Sequence, residues 1–295
     1  MKKQKKPVAA GSFVLACRHA LQWRLLLLWT LFLILPTLIF TAPFWMLMHA
    51  SFDYSVYADQ IAAQFDVTAI GDFMGVLQQK GNVLTLAGVG GALCTLLLSP
   101  LLTGMAITAL RAEKAASFAA LIVGGVGEYG RMLRLLLLGL IPLGLAGAAA
   151  AGLFKVMHQY SDKLILASEA DAAFYLCVAV ALLLLAIAHA SVDAGRAQFA
   201  LDTRRRSAWK AWWGGIKMVC TRPLTTLGYY LGISLLGLVL VAGLMWLRIN
   251  VPHVDMPGFL FALIVMQLMM AVVAWMRNAR LFALVAVARA QQNMD

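Results

Sequence analysis

Six long apolar runs constrain this chain more than any other feature. They cover roughly Leu25 to Met48, Val83 to Met105, Met132 to Phe154, Ala172 to Val192, Leu224 to Leu247 and Gly258 to Met276. A helix needs about 20 apolar residues to cross the hydrocarbon of a bilayer, and each run reaches that length. The runs are continuous and lack the alternation of an outer-membrane barrel strand. The expected fold is therefore all-α, a polytopic membrane bundle of six transmembrane helices. Composition agrees: 62% of the 295 residues are hydrophobic, 13% are charged and the mean hydropathy is +0.84, against about 25% charged residues in soluble domains.

The net charge of +11 raises the question of nucleic acid, and its placement argues against it. If the runs alternate across a membrane with the N-terminus inside, only Lys80, Lys155, Lys163 and Arg248 of the 24 Lys and Arg fall in outer loops. Those loops hold most of the acids, including Asp53, Asp59, Asp66, Asp72 and Asp255. The positive-inside rule then predicts that both termini are cytoplasmic. The basic excess reads as topology and headgroup contact, so membrane lipids are the expected partners and nucleic acid is not. The basic start, Met1 to Lys6, resembles a secretory leader, but a segment with Arg18 and His19 intervenes and the apolar run is too long for a signal core. It is read as the first helix. Cys17, Cys94, Cys177 and Cys220 form no close pairs, which predicts neither a disulfide framework nor a zinc site.

One construction recurs three times. A stretch opening at Ser12, Ser117 or Ser207 leads to Arg24, Arg131 or Arg222 and then to a pair of apolar runs. This predicts three tandem hairpins, about 12–110, 117–201 and 207–289, joined by cytoplasmic amphipathic connecting helices within a single membrane domain, 1–295. An outer loop at 50–82 is expected to carry one or two short helices. Gly124-Gly125 and Gly214-Gly215 sit at matching places in the second and third units, and the first pair reads as a flexible connection before the third span. Repeats of this kind are common in transporters, with a site at the midplane. No Asp, Glu, Lys, Arg or His lies near the middle of any run, which favours a bundle of duplicated hairpins, with a small transporter or permease subunit as the alternative. Gly228 with Gly232, Gly88 with Ala92 and Ala148 with Gly152 have the small-xxx-small spacing that lets helices approach. Internal packing is their expected use, with a homo-oligomer or membrane-protein partner as the alternative. Pro36, Pro100 and Pro142 lie inside runs and are expected to kink them.

Three constellations stand out. At the inner ends, His189, Asp193, Arg196, Arg277 and Arg280 form a charged belt. Asp193 and Arg196 have helical pairing distance, and arginines at this level suit a lipid phosphate or another anion, although snorkelling and topological anchoring explain much of the belt. In the third Ser-led stretch, Trp209, Trp212 and Trp213 share one face with Ile216 and Val219, while Lys210 and Lys217 lie off it. That pattern predicts an interfacial anchor, also suited to docking an anionic lipid or a partner. At the outer ends, Met48 with His49, Met157 with His158, and His253 with Met256 pair thioether and imidazole, a combination that suits copper; methionine abundance in apolar segments is the plainer explanation. No Walker lysine, HExxH or GxSxG motif is present. The chain reads as non-enzymatic and without a cofactor.

The even runs end on Pro100 to Gly104, Asp193 to Arg196 and Arg277 to Arg280. With three hairpins and amphipathic connections, these endings resemble a broad group of uncharacterised bacterial six-helix inner-membrane proteins. That group includes relatives of the membrane domain attached to glycerophosphoryl diester phosphodiesterases. The resemblance implies a bacterial inner membrane and an envelope or lipid-related role. It implies no phosphodiesterase activity, because this chain holds no such catalytic domain.

Overall fold

The structure, a computed structural model, describes residues 11–52, 56, 67–112, 114–161, 167–251 and 256–292. Among these residues every regular element is an α-helix. The order is α1 (Gly11–His19), α2 (Trp23–Phe52), α3 (Val67–Gln79), α4 (Gly81–Arg111), α5 (Phe118–Ser161), α6 (Ala167–Leu201), α7 (Ala208–Thr221), α8 (Pro223–Asn250) and α9 (Met256–Gln292). Six of them, α2, α4, α5, α6, α8 and α9, are long and apolar enough to cross a membrane. Consecutive long helices pack along each other: α2 on α4, α5 on α6, and α8 on α9.

The second and third Ser-led stretches start alike and end differently. Ser117 Oγ accepts from the Ala120 amide at 3.2 Å, and Ser207 Oγ from the Lys210 amide at 3.3 Å, each satisfying a free donor in a first helical turn. After Ser207 the helix stops at Thr221, because Pro223 opens α8 and disfavours helical geometry in the residue before it. Arg222 accordingly sits at φ −137°, ψ 61°. The matching position of the second stretch is Leu133, whose amide keeps the ladder intact. The stretch therefore runs without interruption into the third span, giving one helix of 44 residues, about 66 Å at 1.5 Å per residue. A separate connecting helix was expected there, and the structure corrects that.

The same helix corrects the reading of Gly124-Gly125 as a flexible connection. Both glycines lie inside α5 and against α4. A Cβ on Gly125 would meet the Leu101 carbonyl and Met105; one on Gly124 would meet Thr108. In the third copy, a Cβ on Gly215 would meet the Ser191 carbonyl and Gly195 amide of α6, and one on Gly214 would meet Gln198. The contacts thus recur at the same 90-residue offset as the glycines. Gly125 and Gly215 meet the neighbouring helix backbone, and Gly124 and Gly214 its side chains. In the first copy α1 packs on α9, with Ala16 and Ala20 buried and Trp275 Nε1 donating to the Cys17 carbonyl at 2.9 Å.

Burial concentrates at the end of the helices where the basic residues gather. It takes in the first part of α2 (Leu25, Leu28, Trp29, Leu33), the last part of α4 (Leu102 to Ile107), Ala190 to Ala200 on α6, and Ala274 to Ala288 on α9. Away from that end the helices expose apolar side chains, such as Leu235, Leu238 and Val239 on α8 and Phe259 to Ile264 on α9 apart from Ala262. The glycines of the small-residue pairs singled out in the sequence do not meet a neighbouring helix backbone; Gly88 touches the Phe40 ring of α2. Gly228 and Gly152 have nothing within 4 Å of a would-be Cβ, and Gly232 meets only the Phe13 ring. Close approach occurs instead at Gly91, Gly104, Gly125, Gly215 and Gly237. Pro36, Pro100 and Pro142 lie inside helices as expected, together with Pro43. In the 50–82 region, α3 returns to α2 by burying Phe73 between Phe44 and Phe52, with centroids 5.7 and 5.3 Å away. Asp72 is exposed; Asp53, Asp59 and Asp66 lie outside the described residues.

Candidate functional site

Three helices converge on one carboxylate. Asp193 of α6 is 5% exposed, and a buried charge persists only when paired. Arg196, one turn on, places Nη1 2.6 Å from Asp193 Oδ1, and His189, one turn back, places Nδ1 3.3 Å from Oδ2. Arg280 of α9 brings Nε to 4.0 Å from the same Oδ2. From α8, Tyr230 Oη lies 3.0 Å from His189 Nδ1. Arg280 Nη1 donates to Tyr230 Oη and Ser234 Oγ, both at 3.2 Å, and its guanidinium lies 4.8 Å from the Tyr230 ring centroid. Ser234 in turn donates to the Tyr230 carbonyl at 2.7 Å. Four of the five belt residues read from the sequence therefore meet.

The fifth, Arg277, points to another partner. Its guanidinium lies over the Trp29 ring at 5.8 Å, and among the described residues no carboxylate is within ion-pair distance of it. Arg277 joins Asp193, Arg196, Arg280, Trp29, Thr103, Ala106, Asn278 and Leu281 around a cavity of about 20 Å³, room for about one water-sized group. Trp29 Nε1, both polar atoms of the Asn278 amide and Arg280 Nε are buried there without a hydrogen-bond partner. Counting residues puts the belt at the helix ends. In the structure its polar contacts reach Ser234, about 16 Å along α8 from Pro223 at 1.5 Å per residue, inside the packed part of the bundle.

A second charged network was not read from the sequence. Glu128 of α5 receives Arg111 Nη1 and Arg131 Nη1, each at 2.7 Å. Both arginines also cap the end of α6: Arg111 donates to the Phe199 and Ala200 carbonyls at 2.7 and 3.0 Å, and Arg131 to the Asp202 carbonyl at 2.6 Å and the Arg205 carbonyl at 3.1 Å. Helix C-termini leave carbonyls unsatisfied and favour cations. Arg24 also bonds a backbone carbonyl, donating to Ala116 in the connection just before Ser117 at 3.2 Å. The signal was available: the acids on the basic side that the structure describes are Glu128, Asp193 and Asp202, and each pairs with arginine.

The tryptophan face divides. Trp209 and Trp213 are exposed, as are Lys210 and Lys217, whereas Trp212 turns inward and donates to Ser191 Oγ at 3.3 Å. The buried face of α7 is Ala211, Gly215, Met218 and Val219, so Trp212 belongs to the packing against α6 and not to an outer anchor. Of the Met and His pairs, Met48 and Met157 are partly buried while His49, His158 and Met256 are exposed; His253 lies outside the described residues. Among the described residues no three His, Cys, Asp or Glu side chains gather to hold a metal ion.

No protein family, no curated protein and no solved structure matches this chain.

Proposed function

We propose that the chain is a non-enzymatic membrane component that acts through contacts with lipid or with another membrane protein. Three duplicated hairpins are joined at a cytoplasmic edge, with both termini inside and a bacterial inner membrane as the location. The resemblance noted above points the same way. The observation that carries this reading is how the buried charges are used. Asp193, His189, Arg196 and Arg280 are occupied with one another and with Tyr230. The cavity lined by Asp193, Arg196 and Arg280 takes about one water-sized group, while the roomier groove midway along the helices is lined by apolar side chains and two threonines. A polar route wide enough for a solute is not what this arrangement supports.

A small transporter is the second reading, favoured by one observation. Ionisable residues buried in membrane helices mark transport sites by default, and Asp193 with Arg280 is such a pair. The two readings part on accessibility. In proteoliposomes, a Ser234→Cys variant in which Cys17, Cys94, Cys177 and Cys220 are replaced by alanine is expected to resist membrane-impermeant thiol reagents from both sides. Labelling from the face opposite the basic end would replace the closed-bundle reading with the transporter.

A further inference from the structure

We propose that the bundle holds one phospholipid, with its phosphate at Arg277, Trp29 and Asn278 and an acyl chain in the groove between α2, α4 and α9. The inference rests on the lipid-contact reading and gives it a ligand class and a place.

Two independent features lie end to end on the same three helices. At the basic end is the small cavity, where Trp29 comes from α2, Thr103 from α4, and Arg277, Asn278 and Arg280 from α9. Its charge is unbalanced: three arginines face a single carboxylate, and Arg277 has none within reach among the described residues. Its atoms without a hydrogen bond are three donors, Trp29 Nε1, Asn278 Nδ2 and Arg280 Nε, the last 4.0 Å from Asp193 Oδ2, and one acceptor, Asn278 Oδ1, on residues 3%, 1% and 7% exposed. Donors and surplus positive charge select an anionic acceptor, and arginine suits phosphate geometry. About 20 Å³ takes one phosphate oxygen; the remaining oxygens lie by Arg277, which is only partly buried.

The second feature is an apolar groove of about 370 Å³ lined by Leu33, Pro36 and Phe40 of α2, Gly88, Gly91 and Ala92 of α4, and Met270 of α9, with Thr37 and Thr95. Its floor exists because α4 carries no side chain there: a Cβ on Gly91 would lie 3.2 Å from the Pro36 carbonyl. On each of the three helices the groove residues lie further from the basic end than the cavity residues. From Arg277 to Met270 the offset is about 10 Å along α9. Headgroup phosphate towards the basic end and acyl chain towards the middle of the span is the orientation of a lipid in a bilayer. A free anion would have no use for the groove, and the alignment of cavity and groove along the same three helices commits the site to a phospholipid.

The test uses the full chain, purified, delipidated and exposed to phosphatidylglycerol, diacylglycerol or inorganic phosphate, with retained ligand counted by native mass spectrometry. The wild type is expected to retain about one phosphatidylglycerol and no diacylglycerol. Arg277→Gln, which removes the unpaired cation, and Ala92→Phe, which fills the groove from an exposed position, are each expected to lower retention at least fivefold. Trp29→Phe, which keeps the ring and loses the donor, lowers it less. Equal retention by wild type and both variants overturns this site while leaving lipid contact elsewhere intact. Binding of inorganic phosphate with no effect of Ala92→Phe overturns it in favour of a free-anion site. No retention by the wild type removes both the site and the lipid reading. If Arg277→Gln does not survive purification, a photoactivatable phosphatidylglycerol decides: adducts on the groove residues support the site, and adducts confined to other faces overturn it.

Discussion

The two ends of the bundle are built on different terms. At the basic end, α9 is buried almost continuously from Ala274 to Ala288, Gly104 and Gly215 lie backbone to backbone with neighbouring helices, and the charges of Asp193 and Glu128 are paired. Towards the other end the same helix exposes Phe259, Leu260, Ile264 and Leu268, each near half of its surface. Lipid explains the difference. Hydrocarbon is as good a solvent for leucine as another leucine is, so apolar side chains alone do not pull membrane helices together. Close packing gathers where small residues allow contact and where buried polar groups require partners, and this chain places both at one end.

The comparison breaks most readily at Asp193. Asp193→Leu leaves Arg196 and Arg280 buried without their carboxylate and is expected to cost about 3–5 kcal/mol. Thermal unfolding in detergent reads it, against Leu238→Ala at the open end, where a 61% exposed side chain predicts a change within about 0.5 kcal/mol. The next effect separates glycines that share a residue type and differ in place. Gly215→Ala forces a methyl onto the Ser191 carbonyl and is expected to cost about 1–3 kcal/mol; Gly228→Ala, with nothing within 4 Å, is expected to be neutral or to gain up to about 1 kcal/mol of helix propensity. Equal effects at the two positions would dissolve the distinction between the ends. Ser207→Ala removes a side-chain cap and is expected to lower stability by about 1 kcal/mol, seen as faster amide exchange in the first turn of α7.

The smallest effect is a pH dependence. The amide of Arg204, then that of Arg205 and its guanidinium, hold the Asp202 carboxylate below its ordinary pKa. A lowered folded value means the unfolded chain binds the proton first. The stabilisation is therefore present above an unfolded pKa of about 4 and lost as pH falls through the lower folded value. Asp202→Asn is expected to flatten the fall of the unfolding midpoint as pH drops below about 4 while leaving it unchanged at pH 7 relative to other surface variants. A wild-type midpoint already flat in that window rules the contribution out.

The spans and the meeting of His189, Asp193, Arg196 and Arg280 were legible because apolar length and helical spacing are local properties. Tyr230, Ser234 and Trp29 were not, since each reads as an ordinary residue of an apolar run until another helix brings a guanidinium to it. Gly124-Gly125 was misread for a related reason. In a soluble chain a glycine pair before a helix is a natural break, whereas here position 133 is Leu where the third copy has Pro223, the ladder is kept, and the pair serves a helix crossing. The GxxxG motif at Gly228 failed in the opposite direction, having the spacing of a seam and no helix backbone against it, only the Phe13 ring at Gly232.

The placement of α1 against α9 has a consequence for biogenesis. The Trp275 to Cys17 hydrogen bond joins residues 258 apart in the chain, and Arg280 reaches Tyr230 and Asp193 from the last helix of the order. A ribosome delivers α9 after the other five spans described, so those helices enter the bilayer with Asp193 still lacking one of its two arginines and with the partner of α1 not yet made. Completion of the basic end is then a single late event. A chain stopped before α9 would keep the Asp193–Arg196 pair but leave Asp193 Oδ2, Tyr230 and Ser234 without Arg280, which is the kind of defect by which quality-control proteases recognise an unfinished protein.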